Sequence, residues 1–202
     1  SLGDDADTAV YSAVAATVSG GTGGTDSDTL QINATTGVMT INLSLEPAIQ
    51  QVTVGGTGTW TDFENLSAAG ATHALTVIAN TGGSVITTGS DNDVVTLALN
   101  NNADIVTLGD GSDTINNIGN NDTINLGDGD DTATYTEAVS ATIDGGENGE
   151  TNGDTLILTT TGPMTLDLSL VGSNQVTAGG VASSWRNFEN LSAGGSTHAL
   201  TV

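Results

Sequence analysis

The sequence contains no cysteine, and this absence excludes disulfide bonds, thiol catalysis and cysteine-based zinc sites. It has only two prolines, and aromatic residues make up 3% of the chain. No run of about 18 apolar residues occurs, so no segment is predicted to span a membrane. An acidic chain without cysteine and with few aromatics is unlike an ordinary cytosolic enzyme.

Basic residues are almost absent as well. Arg186 is the single one, against 24 acidic residues, and the net charge is −23. Such a chain repels polyanions, so nucleic acid and anionic membrane surfaces are poor partners. It also repels itself when it is compact. We therefore expect a cation from outside the chain to offset this repulsion, and Asp and Asn oxygens suit hard divalent cations such as calcium.

A long internal repeat organises the chain. Residues 60–67 recur as residues 185–192, and further matches upstream have offsets that differ from this one by a single position. Residues 1–77 and 126–202 are therefore predicted to be two copies of one unit, with residues 78–125 between them. Self-similarity at a fixed period predicts stacked units that bury each other's apolar faces in one continuous solenoid.

A shorter repeat of the form Asp-x-apolar crosses the middle of the chain. Its aspartates recur at every ninth position after one longer first interval, and a turn rich in Gly, Asn and Asp precedes each one. Such a period is long enough for a short strand and a tight turn, and Thr, Val and Ile favour strands. The pattern predicts an all-β parallel solenoid, whose five aspartates are Asp93, Asp104, Asp113, Asp122 and Asp131.

The flanking copies are predicted to add broader, β-helix-like rungs to this solenoid. Each copy carries a Trp that is closely followed by a Phe, as Trp60 with Phe63 and as Trp185 with Phe188. We expect these aromatic pairs to cap or fill a broad rung rather than to bind sugar.

Two segments resemble the nonapeptide of the RTX (repeats in toxin) family, Gly-Gly-x-Gly-x-Asp-x-apolar-x. They are residues 108–116 and 126–134, and in both a Leu stands in place of the first Gly. The resemblance implies a β-roll, in which each nonapeptide forms one turn and one strand and every second turn stacks on the same edge. The two segments are separated by two repeat lengths, so they are predicted to lie on one edge in adjacent coils.

The resemblance also implies calcium ligands in these two turns. Carboxylates and turn carbonyls from two coils enclose one ion with the six to eight oxygens that calcium prefers, and glycine lets the carbonyls point inward. The alternative is a turn that uses Asp and Gly only for backbone hydrogen bonds. The candidate residues are Asp110, Asp113, Asp128 and Asp131, with the turn glycines Gly109, Gly111, Gly127 and Gly129.

Four further residues are secondary candidates. Residues 88–96 form a weaker match, in which Asp91 replaces a glycine and the interval from Asp93 to Asp113 exceeds two repeat lengths. We expect a two-residue insertion near Ala98 to disturb that pairing. Asp4 and Asp7 correspond to Asp128 and Asp131, and they are expected to bind metal if another coil precedes them.

Two other groups of acids are weaker candidates. Asp104 and Asp122 are also separated by two repeat lengths, but Asn replaces most glycines there, so a weaker or absent site is expected on that edge. The turn at residues 145–156 of the second copy is a further candidate calcium site, because extra acids occur there at Asp144, Glu147 and Glu150.

No enzyme chemistry is predicted. Glu64 and Glu189 are equivalent in the two copies, and they are predicted to lie too far apart for the converging carboxylates of a glycoside hydrolase. The favoured hypothesis is a secreted bacterial structural protein, namely a surface-layer subunit, a matrix filament or a large adhesin repeat, that folds and self-associates when it binds Ca2+. The RTX resemblance implies type I secretion, and cell-surface polysaccharide is a further candidate partner.

Two alternatives remain open at the level of sequence. One is an RTX module that supports the secretion and folding of a secreted hydrolase or toxin. The other is ice binding, which requires a flat array of threonines such as an alignment of Thr114 with Thr132.

Overall fold

The computed structural model describes residues 1–11, 16–21, 27–44, 49–53, 58–100, 102–136, 140–159, 163–170, 172–178, 183–195 and 200–201. All regular elements in these ranges are strands, and no helix long and apolar enough to cross a membrane occurs among them. The strands are β1 Thr8–Val10, β2 Thr17–Ser19, β3 Thr29–Gln31, β4 Met39–Asn42, β5 Val52–Thr53, β6 Thr59–Thr61, β7 Asn65–Ser67, β8 Leu75–Ile78, β9 Val85–Thr87, β10 Val94–Thr96, β11 Ile105–Asp110, β12 Thr114–Ile118, β13 Thr123–Asp128, β14 Thr132–Tyr135, β15 Thr142–Asp144, β16 Thr155–Leu158, β17 Met164–Leu166, β18 Val176–Ala178, β19 Ser184–Arg186, β20 Asn190–Ser192 and β21 Leu200–Thr201.

Most strands form two long parallel sheets, and the regular coils alternate between them. Two smaller sheets contain the remaining strands, in the orders β18-β17-β21 and β2-β6. The front sheet has the order β1-β3-β7-β9-β11-β13-β15-β19. The back sheet has the order β20-β16-β14-β12-β10-β8-β4-β5, in which only β5 is antiparallel to its neighbour. This confirms the predicted parallel all-β solenoid.

The short repeat builds the regular coils. Ile105 pairs with Thr123 in the front sheet, and Thr114 pairs with Thr132 in the back sheet, so one coil takes two repeats of the Asp-x-apolar pattern. Each strand turns its middle residue inward because side chains alternate along a strand. The inward rows are Leu30, Leu66, Ile86, Val106, Ile124, Ile143 and Trp185 in the front sheet, and Ile41, Val77, Val95, Ile115, Ala133 and Leu156 in the back sheet.

The two broad rungs contain the aromatic residues. The coil from Leu30 to its partner Leu66 is twice as long as a regular coil. Trp60 and Trp185 are 3% and 0% exposed, and the ring of Trp185 packs against Tyr135 with centroids 4.2 Å apart. The aromatic pairs therefore fill the broad rungs, as the sequence predicts.

The two copies repeat each other strand for strand. The pairing of Met39 with Leu75 recurs as that of Met164 with Leu200, and strands β1–β8 correspond to β14–β21. Equivalent strands are thirteen apart in the order of the chain, and three equivalent pairs fall in opposite long sheets. β1, β3 and β7 lie in the front sheet, whereas β14, β16 and β20 lie in the back sheet.

Turns of the solenoid lie along two edges. Edge 1 contains the turns that lead from the front sheet to the back sheet, including residues 88–93, 110–113, 128–131 and 145–154. Edge 2 contains the turns that lead back, including residues 97–100, 102–104 and 119–122. Both RTX-like turns therefore lie on edge 1 in adjacent coils.

Candidate metal centre

Four buried aspartates form a column along edge 1, and we call them the aspartate column: Asp93, Asp113, Asp131 and Asp154. Three of them accept, through one carboxylate oxygen, the backbone N–H of the column residue in the preceding coil. The Asp93 N–H donates to Asp113, the Asp113 N–H to Asp131 and the Asp131 N–H to Asp154, with N···O distances of 2.7, 2.7 and 2.8 Å. This ladder explains why the repeat carries Asp immediately before each strand on this edge.

The second oxygen of each column carboxylate is buried without a hydrogen-bond partner. All four Oδ2 atoms have this property by geometry, and the four side chains are at most 1% exposed. Thr88 and Gly89 lie near enough to Asp93 to lower its pKa by hydrogen bonding, so the clearest cases are the oxygens of Asp113, Asp131 and Asp154. Leaving a buried polar atom unpaired costs about 1–3 kcal/mol, and more if the atom is charged. Since Arg186 is the only Lys or Arg and bonds to Asp144, no basic side chain of that kind is available to neutralise the column.

Burial and mutual repulsion raise the pKa values of the column carboxyls. Loss of solvation, followed by the charges of Asp131 and Asp93, raises the pKa of Asp113 to about 8. The pKa of Asp154 rises to about 7 for similar reasons, and that of Asp131 to about 6. At neutral pH the ionised column is therefore unfavourable unless a cation or protons compensate its charge.

Edge 2 carries a similar ladder with an important difference. The Asp104 N–H donates to Asp122 at 2.9 Å, and Asp122 is also buried. However, the second oxygen of Asp122 accepts the Gly119 N–H at 2.7 Å. Among the described residues, buried carboxylate oxygens without a hydrogen-bond partner therefore occur in the aspartate column on edge 1 and not at Asp104 or Asp122 on edge 2. This difference favours a metal site on edge 1.

Asp110 and Asp128 lie on the outer side of the same turns. They are register partners at the ends of β11 and β13, and both are exposed. Their charges contribute to the raised pKa values of Asp113 and Asp131, respectively, which places them near the column. Asp128 also lines an open cavity of about 310 Å³ together with Asn92, Ser112 and Thr151.

The turn glycines bring the coils into backbone contact. Gly109, Gly111, Gly127 and Gly129 have φ between +109° and +140°, a region that L side chains rarely adopt. A Cβ at Gly127 or Gly129 would also collide with the carbonyl oxygen of the glycine one coil below. Glycine is therefore required at these positions by conformation and by space.

The weaker match at Asp91 and Asp93 is part of the same edge. Asp93 keeps its place in the column, so the expected disturbance of its pairing with Asp113 is wrong. The two extra residues lie between β10 and β11 on edge 2, and the register across edge 1 is unaffected. Asp91 adopts φ 98°, the conformation that glycine has in the better-matched turns.

Of the N-terminal candidates Asp4 and Asp7, only Asp7 takes part in a hydrogen-bond ladder like that of the aspartate column. The Asp7 N–H donates to Asp28 at 2.8 Å, as the Asp131 N–H does to Asp154. Asp4 is exposed. Because the copies lie on opposite sheets, Asp7 precedes a front-sheet strand and therefore lies on the edge 2 side of the solenoid, away from the aspartate column.

The long turn at residues 145–154 adds acids that only the structure groups together. Asp144 is bonded to Arg186 and Asn187, and Glu147 is exposed, so neither of these candidates faces the column. Glu150 instead lies near Asp154 and Glu189, with one carboxylate oxygen from each within 4.8 Å of the others. The sequence indicated Glu150 as a candidate because it is an additional acid in a lengthened turn. Nothing in the sequence indicated that Glu189 is a candidate metal ligand.

Asp130 holds this long turn in place. Its Oδ1 accepts the backbone N–H groups of Thr151, Asn152 and Gly153 at 2.8–3.1 Å. These hydrogen bonds lower the pKa of Asp130 to about 2. Asp130 is therefore satisfied by the protein itself, unlike its neighbour Asp131.

Calcium fits the chemistry of edge 1. The donor atoms are carboxylate oxygens, and calcium prefers six to eight oxygen ligands. Among the described residues, the predicted ligands Asp110, Asp113, Asp128 and Asp131 do not form a group of three carboxylates within 4.8 Å of one another, whereas Glu150, Asp154 and Glu189 do. The orphaned Oδ2 atoms are buried acceptors that a cation would satisfy. Comparison with known proteins adds nothing to this assignment, because no family model, no curated protein and no solved structure matches the chain.

The raised pKa values predict opposite effects of pH with and without calcium. In calcium-free buffer the folded column binds protons more tightly than the unfolded chain does, so stability is greatest below about pH 4 and is lost as the pH rises towards 8. In saturating calcium, acid releases the ion by protonating its ligands, so stability is expected to fall as the pH is lowered. Thermal melts across this range, after removal of metal by dialysis, measure both trends. Parallel profiles in the two buffers would contradict the assignment.

Proposed function

We propose that this protein is an extracellular structural protein that folds and assembles when it binds calcium. The observation that carries the proposal is the aspartate column, in which four successive coils of edge 1 each bury a carboxylate oxygen without a partner. Such a column is unfavourable without a cation and favourable with one. Calcium binds the folded coils and not the unfolded chain, so binding free energy becomes folding free energy.

This linkage suits a protein that is exported unfolded and folds outside the cell. Calcium is scarce in the cytosol and abundant outside, so the column stays charged and the chain loose until export is complete. The net charge of −23 strengthens this effect because it opposes compaction. The RTX resemblance of residues 108–116 and 126–134 agrees with secretion by a type I system.

The architecture supports a structural role. Both copies contribute strands to the same two long sheets, whose lateral faces are rich in Thr and also expose Val85, Val94 and Ile105. Strands β1, β3 and β7 lie in the front sheet and their equivalents β14, β16 and β20 in the back sheet, so each face carries this part of the repeat once. A surface layer, matrix filament or adhesin stalk uses such repeated faces for self-association or for contact with cell-surface polysaccharide.

Assembly in calcium tests this proposal. Sedimentation velocity and negative-stain electron microscopy are performed at the same protein concentration in chelator and in millimolar calcium. We expect expanded monomers in chelator and ordered filaments or sheets in calcium, with magnesium as the control cation. Monodisperse monomers at high protein and calcium concentrations would rule out self-assembly and favour a folding module attached to another domain.

A further inference from the structure

We propose that Glu150, Asp154 and Glu189 form a second kind of calcium site, at the junction between the regular coils and the broad rung of the second copy. This junction site rests on the proposed function for the identity of its cation, but its ligand set is different. It uses two glutamates and the last residue of the aspartate column, and it lies outside the two RTX-like nonapeptides. It would fasten the turn at residues 145–154 to the segment before β20.

The spacing of the three carboxylates matches one calcium ion. One oxygen from each residue lies within 4.8 Å of the other two. Two ligands on opposite sides of calcium are separated by about 4.6–5.2 Å, because each Ca–O distance is about 2.3–2.6 Å. The three oxygens are therefore close enough together to be ligands of one ion.

Buried atoms without partners point to a missing ligand at the same place. Asp154 is 0% exposed, and its Oδ1 accepts the Asp131 N–H while its Oδ2 has no partner. The Oε1 atom of Glu150 is also buried and unpartnered. Glu189 accepts the Asp154 N–H at 2.8 Å, which holds its carboxylate beside that of Asp154.

Two glycines allow the backbone of the turn to lie close to these carboxylates. A Cβ added to Gly145 would collide with Oδ2 of Asp154, and a Cβ added to Gly153 would collide with the Glu189 side chain. Gly153 also has a φ of 79°, so a larger residue there would be strained. The backbone of the turn therefore packs closely against Asp154 and Glu189.

The first copy retains the ladder but has a different residue at the position of Glu150. The Asp28 N–H donates to Glu64 at 2.7 Å, in the same way as the Asp154 N–H donates to Glu189. At the offset that relates Trp60 to Trp185, the position of Glu150 is occupied by Thr25, which lies outside the described residues together with the neighbouring Asp26. Among the residues that the structure describes, a group of three carboxylates occurs in the second copy, so we assign the junction site there.

Counting bound calcium tests the junction site. The full chain, Glu150→Gln and the charge-matched control Glu147→Gln are dialysed against saturating calcium, and metal per chain is measured by mass spectrometry. Glu147 lies in the same turn and is exposed. We expect Glu150→Gln to bind one ion fewer than the full chain and Glu147→Gln to bind the same number. Equal numbers and equal affinities in all three proteins would overturn the proposal.

Hydrogen exchange shows where the lost ion was bound. Calcium is expected to protect peptides covering residues 145–158 and 184–192 in the full chain, and Glu150→Gln should lose that protection while residues 110–118 keep theirs. If Glu150→Gln does not fold in calcium, Glu189→Gln replaces it, because its amide oxygen still accepts the Asp154 N–H. If Asp113→Asn binds fewer ions but neither glutamate variant does, the result would support calcium binding by the aspartate column and would contradict the junction site.

Discussion

Removal of calcium at neutral pH is expected to lower the free energy of unfolding by about 3–5 kcal/mol. An extracellular module binds calcium with a Kd of about 10⁻⁴–10⁻³ M, so a concentration ten- to hundredfold above Kd contributes about 1.4–2.7 kcal/mol per ion. The expected range corresponds to two such ions, and an ion at the proposed junction site would add to it. For a chain of this length the corresponding change in Tm is about 10 °C.

Far-UV circular dichroism, recorded during thermal and urea unfolding in chelator and in calcium, measures this difference. The long-range charge of the chain also responds to salt, because ionic screening weakens repulsion among exposed carboxylates. Sodium chloride at matched ionic strength and magnesium are therefore the controls. Equal β content and equal Tm in chelator and in millimolar calcium would refute the metal assignment on edge 1.

The substitution Asp113→Asn is expected to abolish much of the calcium response with little effect on the metal-free fold. The amide oxygen of Asn still accepts the Asp93 N–H, and the amide resembles the protonated carboxyl that a pKa of about 8 favours at neutral pH. We therefore expect a change within about 1 kcal/mol in chelator. In calcium the variant loses the ion that Asp113 binds and is expected to be about 1.4–2.7 kcal/mol less stable than the original protein.

Asp122→Asn on edge 2 is the matched control for this substitution. Both oxygens of Asp122 accept backbone N–H groups, from Asp104 and from Gly119. An amide satisfies only one of them, so the variant is expected to lose about 1–2 kcal/mol in chelator and in calcium alike. Urea unfolding of both variants in both buffers gives the comparison. If Asp113→Asn also changes stability equally in both buffers, the column acts only as a hydrogen-bond ladder.

Local patterns predicted the regular part of the fold well. A strand needs only alternating residues and a turn needs only Gly, Asn or Asp, so a short fixed period predicts both. The length of the coil, two such periods, follows because every second turn lies on the same edge. Asp113 and Asp131 were therefore recognisable as stacked residues before their contacts were known.

Two features were harder to predict from the sequence. They are the effect of the two-residue insertion on the register and the grouping of Glu150 with Asp154 and Glu189. The longer interval from Asp93 to Asp104 placed the two extra residues near Ala98, where the structure has them, but it did not show whether they would disturb edge 1. The pairing of Val94 with Thr114 shows that edge 1 is undisturbed. Glu189 lies far along the chain from Asp154, and the broad rung between them has no regular period. Only the folded path of that rung brings Glu189 to Asp154 and Glu150.

The sequence by itself determined the parallel solenoid, the length of its regular coil and the two copies, because each depends on short-range periodicity or on self-similarity. The tertiary structure alone decided which carboxylate oxygens are satisfied and which are buried without partners, because that depends on the neighbouring coil. It also decided that the copies occupy opposite sheets. In the regular coils each strand passes the chain to the other sheet, whereas β4 and β5 of the first broad rung both lie in the back sheet. The side on which the second copy begins therefore depends on the path of that rung, which has no regular period in the sequence.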